Sequence, residues 1–170
     1  QQDGVRTYAI EGSCFVAGSL IQYLRDQLGL IGSAAETEDL ARSIEDSGEV
    51  VIVPALAGLG APHWNPDARG VISGLSFASG RAQIARAALE AMAHQTHDLA
   101  SAFAADGAPW CRLHIDGGMS ANDWMAQDLA DILDLEVERP DFVETTALGA
   151  AILAAVGSGM QDSLERAAQA

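Results

Sequence analysis

Two glycine-bearing segments and three histidines are the residues of this chain whose types and spacing could do chemistry. In "IDGGMSANDW", Ile115 to Trp124, an acid and two glycines close an apolar run, and an apparent helix starts at once. Paired glycines let the backbone approach a ligand or take a positive φ, and the free N–H groups at a helix start favour an anion or a polar ligand edge. Asp123 already occupies part of that field, which argues against a phosphate on the helix axis. Ser120, with Asp123 three residues on, has the pattern of a short capping box. Spacing alone leaves two readings open: a plain strand-turn-helix and a nucleotide contact. In "FVAGSLIQYL", Gly18 falls inside a predicted helix, where glycine costs about 1 kcal/mol relative to alanine. Close packing and ligand approach both account for it. Gln22 lies one turn later on the same side, so a flat ring could cover Gly18 while Gln22 reaches its edge.

The histidines support less. His94 and His97 are three apart on a long predicted helix with Asp98 beside them, but there is no HExxH and no third ligand, so no metal site is assigned. His63 and Trp64 in "GAPHW" could line a cleft or simply anchor a loop. No GxSxG and no Ser-His-Asp order supplies a nucleophile and base.

The elements that must position these residues alternate. A short strand is expected at Tyr8 to Ile10, then a helix from about Cys14 to Leu28 with Phe15, Leu20, Ile21, Leu24 and Leu28 inward and Gly29 as its stop. A short acidic helix, Thr37 to Ile44, takes Thr37 as its cap and lies at an edge. "VVIVPA", Val50 to Ala55, has no polar alternation and suits a strand buried on both faces. "VISGL" returns as a second strand, and a long helix from Arg81 to Ala105 carries the stripe Ile84, Ala88, Met92, Gln95, Leu99 and Phe103. A strand at Arg112 to Ile115, a helix at Ser120 to Leu133, a strand at Glu136 to Arg139 and a small-residue helix at Thr145 to Val156 complete the series. Such alternation predicts one α/β domain, residues 1–170, with a partly parallel sheet. Because the chain enters on a lone strand, further strands are expected upstream of it.

Composition excludes several classes. The 170 residues are 49% hydrophobic, enough for one packed core. Acidic side chains number 24 against 9 basic ones, all arginine, for a net charge of −15. Without lysine there is no GxxxxGK[ST] loop and no Schiff-base chemistry, and an acidic chain is a poor nonspecific binder of nucleic acid. Cys14 and Cys111 are far apart, without CxxC spacing, and fit buried or idle thiols of a reducing, cytoplasmic compartment. No stretch suits a signal peptide or a membrane span.

Taken together, "YAIEGSCFVAGSLIQYLRDQLGLI", "VPALAGLGAPHWNPDARGVISGL", "IARAALEAMAHQTHDL", "IDGGMSANDWMAQDLADIL" and "VERPDFVETTALGAAILA" resemble the FGGY carbohydrate kinase family, and within it the kinases acting on glycerol. The resemblance covers nearly the whole chain, in order, and matches the C-terminal domain of such enzymes. It implies a ribonuclease-H-like fold of the actin and hexokinase type, forming the ATP side of a two-domain kinase. The family's "AGxxIQ" helix places nucleotide contacts at Gly18 and Gln22, and its "DGGxxxN" turn places them at Gly118 and Asn122, around adenine and ribose. ATP and Mg²⁺ are the implied cofactors, with Mg²⁺ held mainly by the phosphates and by the other half of the enzyme. The implied partners are a polyol or sugar substrate and the chain's own N-terminal domain, with a homo-oligomer left open and neither nucleic acid nor membrane expected.

The family's catalytic base is the aspartate of a "GDQ" motif, which is absent here, so no catalytic residue is assigned and the base is expected upstream of Gln1. The chain alone is expected to be inactive. Two departures stand out: "GLSFASG" has Phe77 where the family has arginine, and "AHQTHD" brings His94 and His97 where it has "AYQTRD". A related kinase for xylulose, ribulose or gluconate, or an actin-like nucleotide module without kinase activity, remains the alternative.

Overall fold

The computed structural model describes residue 6, residues 8–142 and residues 144–168. Helix α3, Arg81–Ala105, is the axis of the core, with α1 (Gly18–Asp26), α2 (Glu36–Arg42), α4 (Asp123–Leu133) and strand β1 (Val51–Val53) packed on it. Its bounds are those the sequence predicts. Its burial is wider than one stripe: from Ala85 to Ala93 the buried positions run almost all round the helix, and most are alanine. Small side chains let neighbouring helices approach from several directions, while Leu89 and Met92 supply the bulk. Ile21, Leu24 and Leu89 are wholly enclosed, each contributing roughly 1.5–3 kcal/mol of transfer free energy.

Strands are few and short. β1 pairs antiparallel with β2, Val71–Ser73, and β3, Leu113–His114, pairs parallel with β4, Val137–Glu138. The 3-10 turn Gly118–Ala121 follows β3, and α5 (Thr145–Gly157) and α6 (Leu164–Ala167) end the described chain. No helix among the described residues is long and apolar enough to cross a membrane.

Several sequence expectations are corrected. Tyr8 to Ile10 forms no strand, and both Tyr8 and Ile10 are exposed. α1 begins at Gly18 rather than Cys14 because tertiary bonds hold the preceding chain away from helix: Ala61 N–H donates to the Ser13 carbonyl (2.8 Å) and Gln95 Nε2 to that of Val16 (3.2 Å). Phe15, before the helix, stays exposed, as does Leu28 beyond its end at Asp26, while Leu20, Ile21 and Leu24 are buried as expected. Gly18 opens the helix instead of interrupting it, so the interior glycine penalty does not apply. Gly29 does end it, at φ +62.

α2 starts one residue before Thr37, whose side chain is buried rather than capping, and the helix packs against α3 and α4. β1 is buried on one face only: Ile52 points inward, while Val51 and Val53 are exposed because β2 is its sole ladder partner among the described residues. α5, the most apolar helix, has no buried side chain among the described residues.

Candidate functional site

The turn after β3 is the most heavily tied backbone segment near the expected site. β3 is held in register on β4 by Leu113 N–H to the Glu136 carbonyl and Ile115 N–H to that of Glu138, both 2.9 Å. Gly117 then adopts φ +79, a conformation side chains disfavour, and this turns the chain out of the strand. Its carbonyl accepts from both the Ser120 N–H (3.0 Å) and the Ser120 hydroxyl (2.7 Å), which closes the 3-10 turn over a fully buried serine. Ser120 is therefore not the cap of α4. That role belongs to Asn122, whose Oδ1 accepts from Met125 N–H at 2.9 Å.

Other elements grip the same segment. Arg139, just past β4, donates to the Ser120 carbonyl (2.8 Å) and pairs with Asp123 (2.5 Å). From α2, Thr37 accepts from Asn122 Nδ2 (3.1 Å), and Glu38 Oε2 accepts from Asp123 N–H (3.1 Å). Asp116, before the glycines, accepts a hydrogen bond from the Thr145 hydroxyl at the start of α5.

Of the four positions expected to contact nucleotide, Gly18 lies beside this turn: a Cβ built on it would sit 3.1 Å from Met119 Cγ. The first residue of α1 and the turn after β3 are thus neighbours across 100 residues of chain. Gln22 is exposed one helical turn further on. Gly118 is exposed, and a Cβ there would meet nothing within 4 Å. Asn122 differs, being 7% exposed, with its carboxamide oxygen and one amide hydrogen already used inside the protein. The local chemistry is a strip of accessible glycine backbone flanked by an exposed carboxamide, next to a helix start whose donors are largely satisfied.

Thr37, Glu38 and Arg139 are the residues that spacing alone did not mark for this site. Their contacts to the turn span 85, 85 and 19 residues, and "AAETED" carries no pattern beyond a helix start.

The second cluster lies elsewhere. His63 Nε2 is 3.2 Å from Asp98 Oδ2, and both line a mostly apolar cavity of about 380 Å³ between β1, the loop after it and α3. His94 borders the same cavity, and both His94 and His97 are exposed. No group of three or more His, Cys, Asp or Glu among the described residues is placed to hold a metal ion. Phe77 is fully exposed. Cys14 and Cys111 are free thiols, and Cys111 is exposed rather than buried. Burial, then the charge of Asp98, raises the Cys14 thiol above its ordinary value.

Comparison with known proteins agrees over almost the whole chain. The model of the C-terminal domain of the FGGY family of carbohydrate kinases matches residues 2–158. A glycerol kinase of Rhodospirillum centenum is 58% identical over 158 residues, which are 93% of this chain and 32% of that protein, and the glycerol kinase of Rhodospirillum rubrum is 56% identical with the same coverage. The chain thus spans about a third of the length of the curated relatives it matches. The crystal structure of Plasmodium falciparum glycerol kinase with ADP superposes with a TM-score of 0.77 at 35% identity, covering 91% of this chain and 31% of that one. A xylulose kinase from Lactobacillus acidophilus superposes at 0.75 with 24% identity, over 93% of this chain and 32% of that one, which speaks for the fold alone. The chain belongs to the FGGY family of carbohydrate kinases, as its mixed α/β C-terminal domain.

Proposed function

We propose that this chain is the nucleotide side of a glycerol kinase, transferring the γ-phosphoryl group of ATP to a primary hydroxyl of glycerol. The observation that carries the reading is identity of 50–58% with proteins named glycerol kinase, over more than nine-tenths of the chain. The two short sheets and their helices are then part of a ribonuclease-H-like domain. Gly18 and Gly118 give backbone access to the adenosine, Gln22 contacts its edge, and Asn122 adds its remaining amide hydrogen.

An adenosine fits the residues present. Gly118 leaves open space where a side chain would stand, and Gly18 packs beside the same turn, its Cβ face covered by the Met119 side chain. The chain's own contribution is to bind and orient the nucleotide, which in phosphoryl transfer is a large part of catalysis. Bound with ATP, Mg²⁺ would neutralise charge on the phosphates, and no cluster among the described residues is placed to hold it. The catalytic base and the polyol grip belong to residues beyond this sequence, so the chain alone does not turn over substrate. The exposed valines of β1 and β2 and the uncovered leucines of α5, Leu148 and Leu153, suit burial against the rest of such an enzyme.

The test is ADP production by the full gene product with glycerol, xylulose, ribulose and gluconate. Glycerol is expected to give the highest kcat/KM. A preference for a pentulose or gluconate would move the assignment to another FGGY kinase, and no turnover with any of them would refute the kinase reading.

A further inference from the structure

The nucleotide turn is held by a helix that has no place in the expected contact set. Two consecutive residues of α2 grip two consecutive residues at the start of α4: Thr37 takes Asn122, and Glu38 takes Asp123. Thr37 is 0% exposed, and its hydroxyl donates to the Ala34 carbonyl at 2.7 Å and accepts from Asn122 Nδ2 at 3.1 Å. A threonine inside a helix carries a propensity cost, and valine would fill the same volume without a polar atom to satisfy. The hydroxyl is therefore there for its partners.

Its effect on Asn122 is directional. As a cap, Asn122 must face its Oδ1 to the Met125 N–H, and Nδ2 then faces an oxygen that is already donating its own hydrogen. That pairing admits one orientation only. It leaves a single Nδ2 hydrogen, at a known angle, for anything outside. Asn122 N–H also donates to the Met119 carbonyl (3.1 Å), so the carboxamide and the 3-10 turn that begins at Gly118 move as one piece. Glu38 adds a second tie, with its other oxygen, Oε1, fixed by Arg42 at 2.8 Å.

We propose that Thr37, supported by Glu38, is a positioning residue for nucleotide binding, acting through Asn122 to hold the Gly118 turn and one amide donor in binding geometry. This rests on the nucleotide reading above. Neither residue touches the ligand, and the polyol side of the reaction is indifferent to both.

The test uses the full gene product, with ADP titrated calorimetrically and steady-state kinetics run alongside. Thr37→Val removes the hydroxyl at constant volume and is expected to weaken ADP binding and raise KM for ATP by about five- to tenfold, the effect of one polar contact. KM for the polyol and kcat stay within about twofold. Thr37→Ser keeps the hydroxyl and restores ADP affinity to within about twofold of the parent, even if its lost methyl lowers the melting temperature. A Thr37→Val protein that melts earlier but binds ADP normally would overturn the proposal, as would failure of Thr37→Ser to restore binding. If Thr37→Val does not fold, Glu38→Gln, at a partly exposed position, is expected to weaken ADP by about two- to threefold, and unchanged affinity there counts against it. A parent protein that binds no ADP would instead refute the nucleotide reading itself, which separates the two failures.

Discussion

Asp128 should make this protein less stable at neutral pH than it could be. It lies on α4 and is half-buried, and its Oδ2 is enclosed with no hydrogen-bond donor. Glu90 of α3, bound by Arg86 at 2.9 Å, and Asp131 of its own helix add negative charge around it, while His94 and Arg86 oppose them. Burial first, and Glu90 next, push the carboxyl from 3.8 to about 6. The native state thus binds a proton between about pH 6 and pH 4 that the unfolded chain releases, so this group's contribution to stability rises as pH falls through that window and is unfavourable above it. Taken whole, the rise corresponds to a ceiling of roughly 3 kcal/mol. Water still reaches part of the side chain, and screening reduces the effect to about 1 kcal/mol. Asp128→Asn replaces the ionised group by a neutral one of the same shape, which Glu90 no longer repels. Its melting temperature should exceed the parent's by about 2–4 °C at pH 7.5, for a domain of this size, and by nothing measurable at pH 4. Thermal unfolding of both proteins from pH 4 to 8 at constant ionic strength reads the difference directly. A gain that is independent of pH, or a loss at pH 7.5, would refute the assignment of an unsatisfied buried charge.

Two further outcomes test the site and the thiols. Gly118→Val meets no atom of the protein within 4 Å of its Cβ, so it should cost less than about 1 kcal/mol of stability yet weaken ADP binding by about tenfold or more through the ligand; unchanged affinity in the folded variant would remove Gly118 from the site. Cys111 is exposed, whereas Cys14 is half-buried with its thiol raised by burial and by Asp98, so a disulfide reagent at pH 7 should modify one thiol at least about tenfold faster than the other. Equal rates, or a faster Cys14 identified by peptide mapping, would contradict that ordering.

What was legible in the sequence follows the range of the forces involved. The bounds of α3, Arg81 to Ala105, are legible because apolar periodicity is a local signal. Met125 and Leu129, buried four residues apart on α4, are legible through the same short-range periodicity. The cap of that helix was not: Ser120 and Asp123 have the right spacing, but Ser120 is drawn under by Gly117 and Arg139, and the cap passes to Asn122. At the start of α1, the helical pattern from Cys14 yields to bonds from Ala61 and Gln95, residues 48 and 79 positions away from their acceptors. β1 shows the opposite error, since an apolar run says that faces want cover without saying what covers them. The proposed site divides in the same way, with its glycines visible as types and its supports in α2 and Arg139 invisible without tertiary contacts.

The satisfied donors at the start of α4 argue for the kind of ligand this turn can accept. A helix N-terminus attracts phosphate through unpaired N–H groups and the positive end of the dipole. Here the Asp123 N–H is bound to Glu38, the Met125 N–H is bound to Asn122, and the Asp123 carboxylate stands at the same end, paired with Arg139. A phosphate would have to displace the Glu38 carboxylate and lie against the carboxylate of Asp123. On the proposed nucleotide reading a nucleoside faces neither obstacle: its ring can approach over Gly118, where a Cβ would meet nothing within 4 Å, and its edges need one or two neutral polar groups, such as Gln22 and the remaining Asn122 hydrogen. Under the function proposed above, Asp123 suits a turn that takes a nucleoside rather than a phosphate.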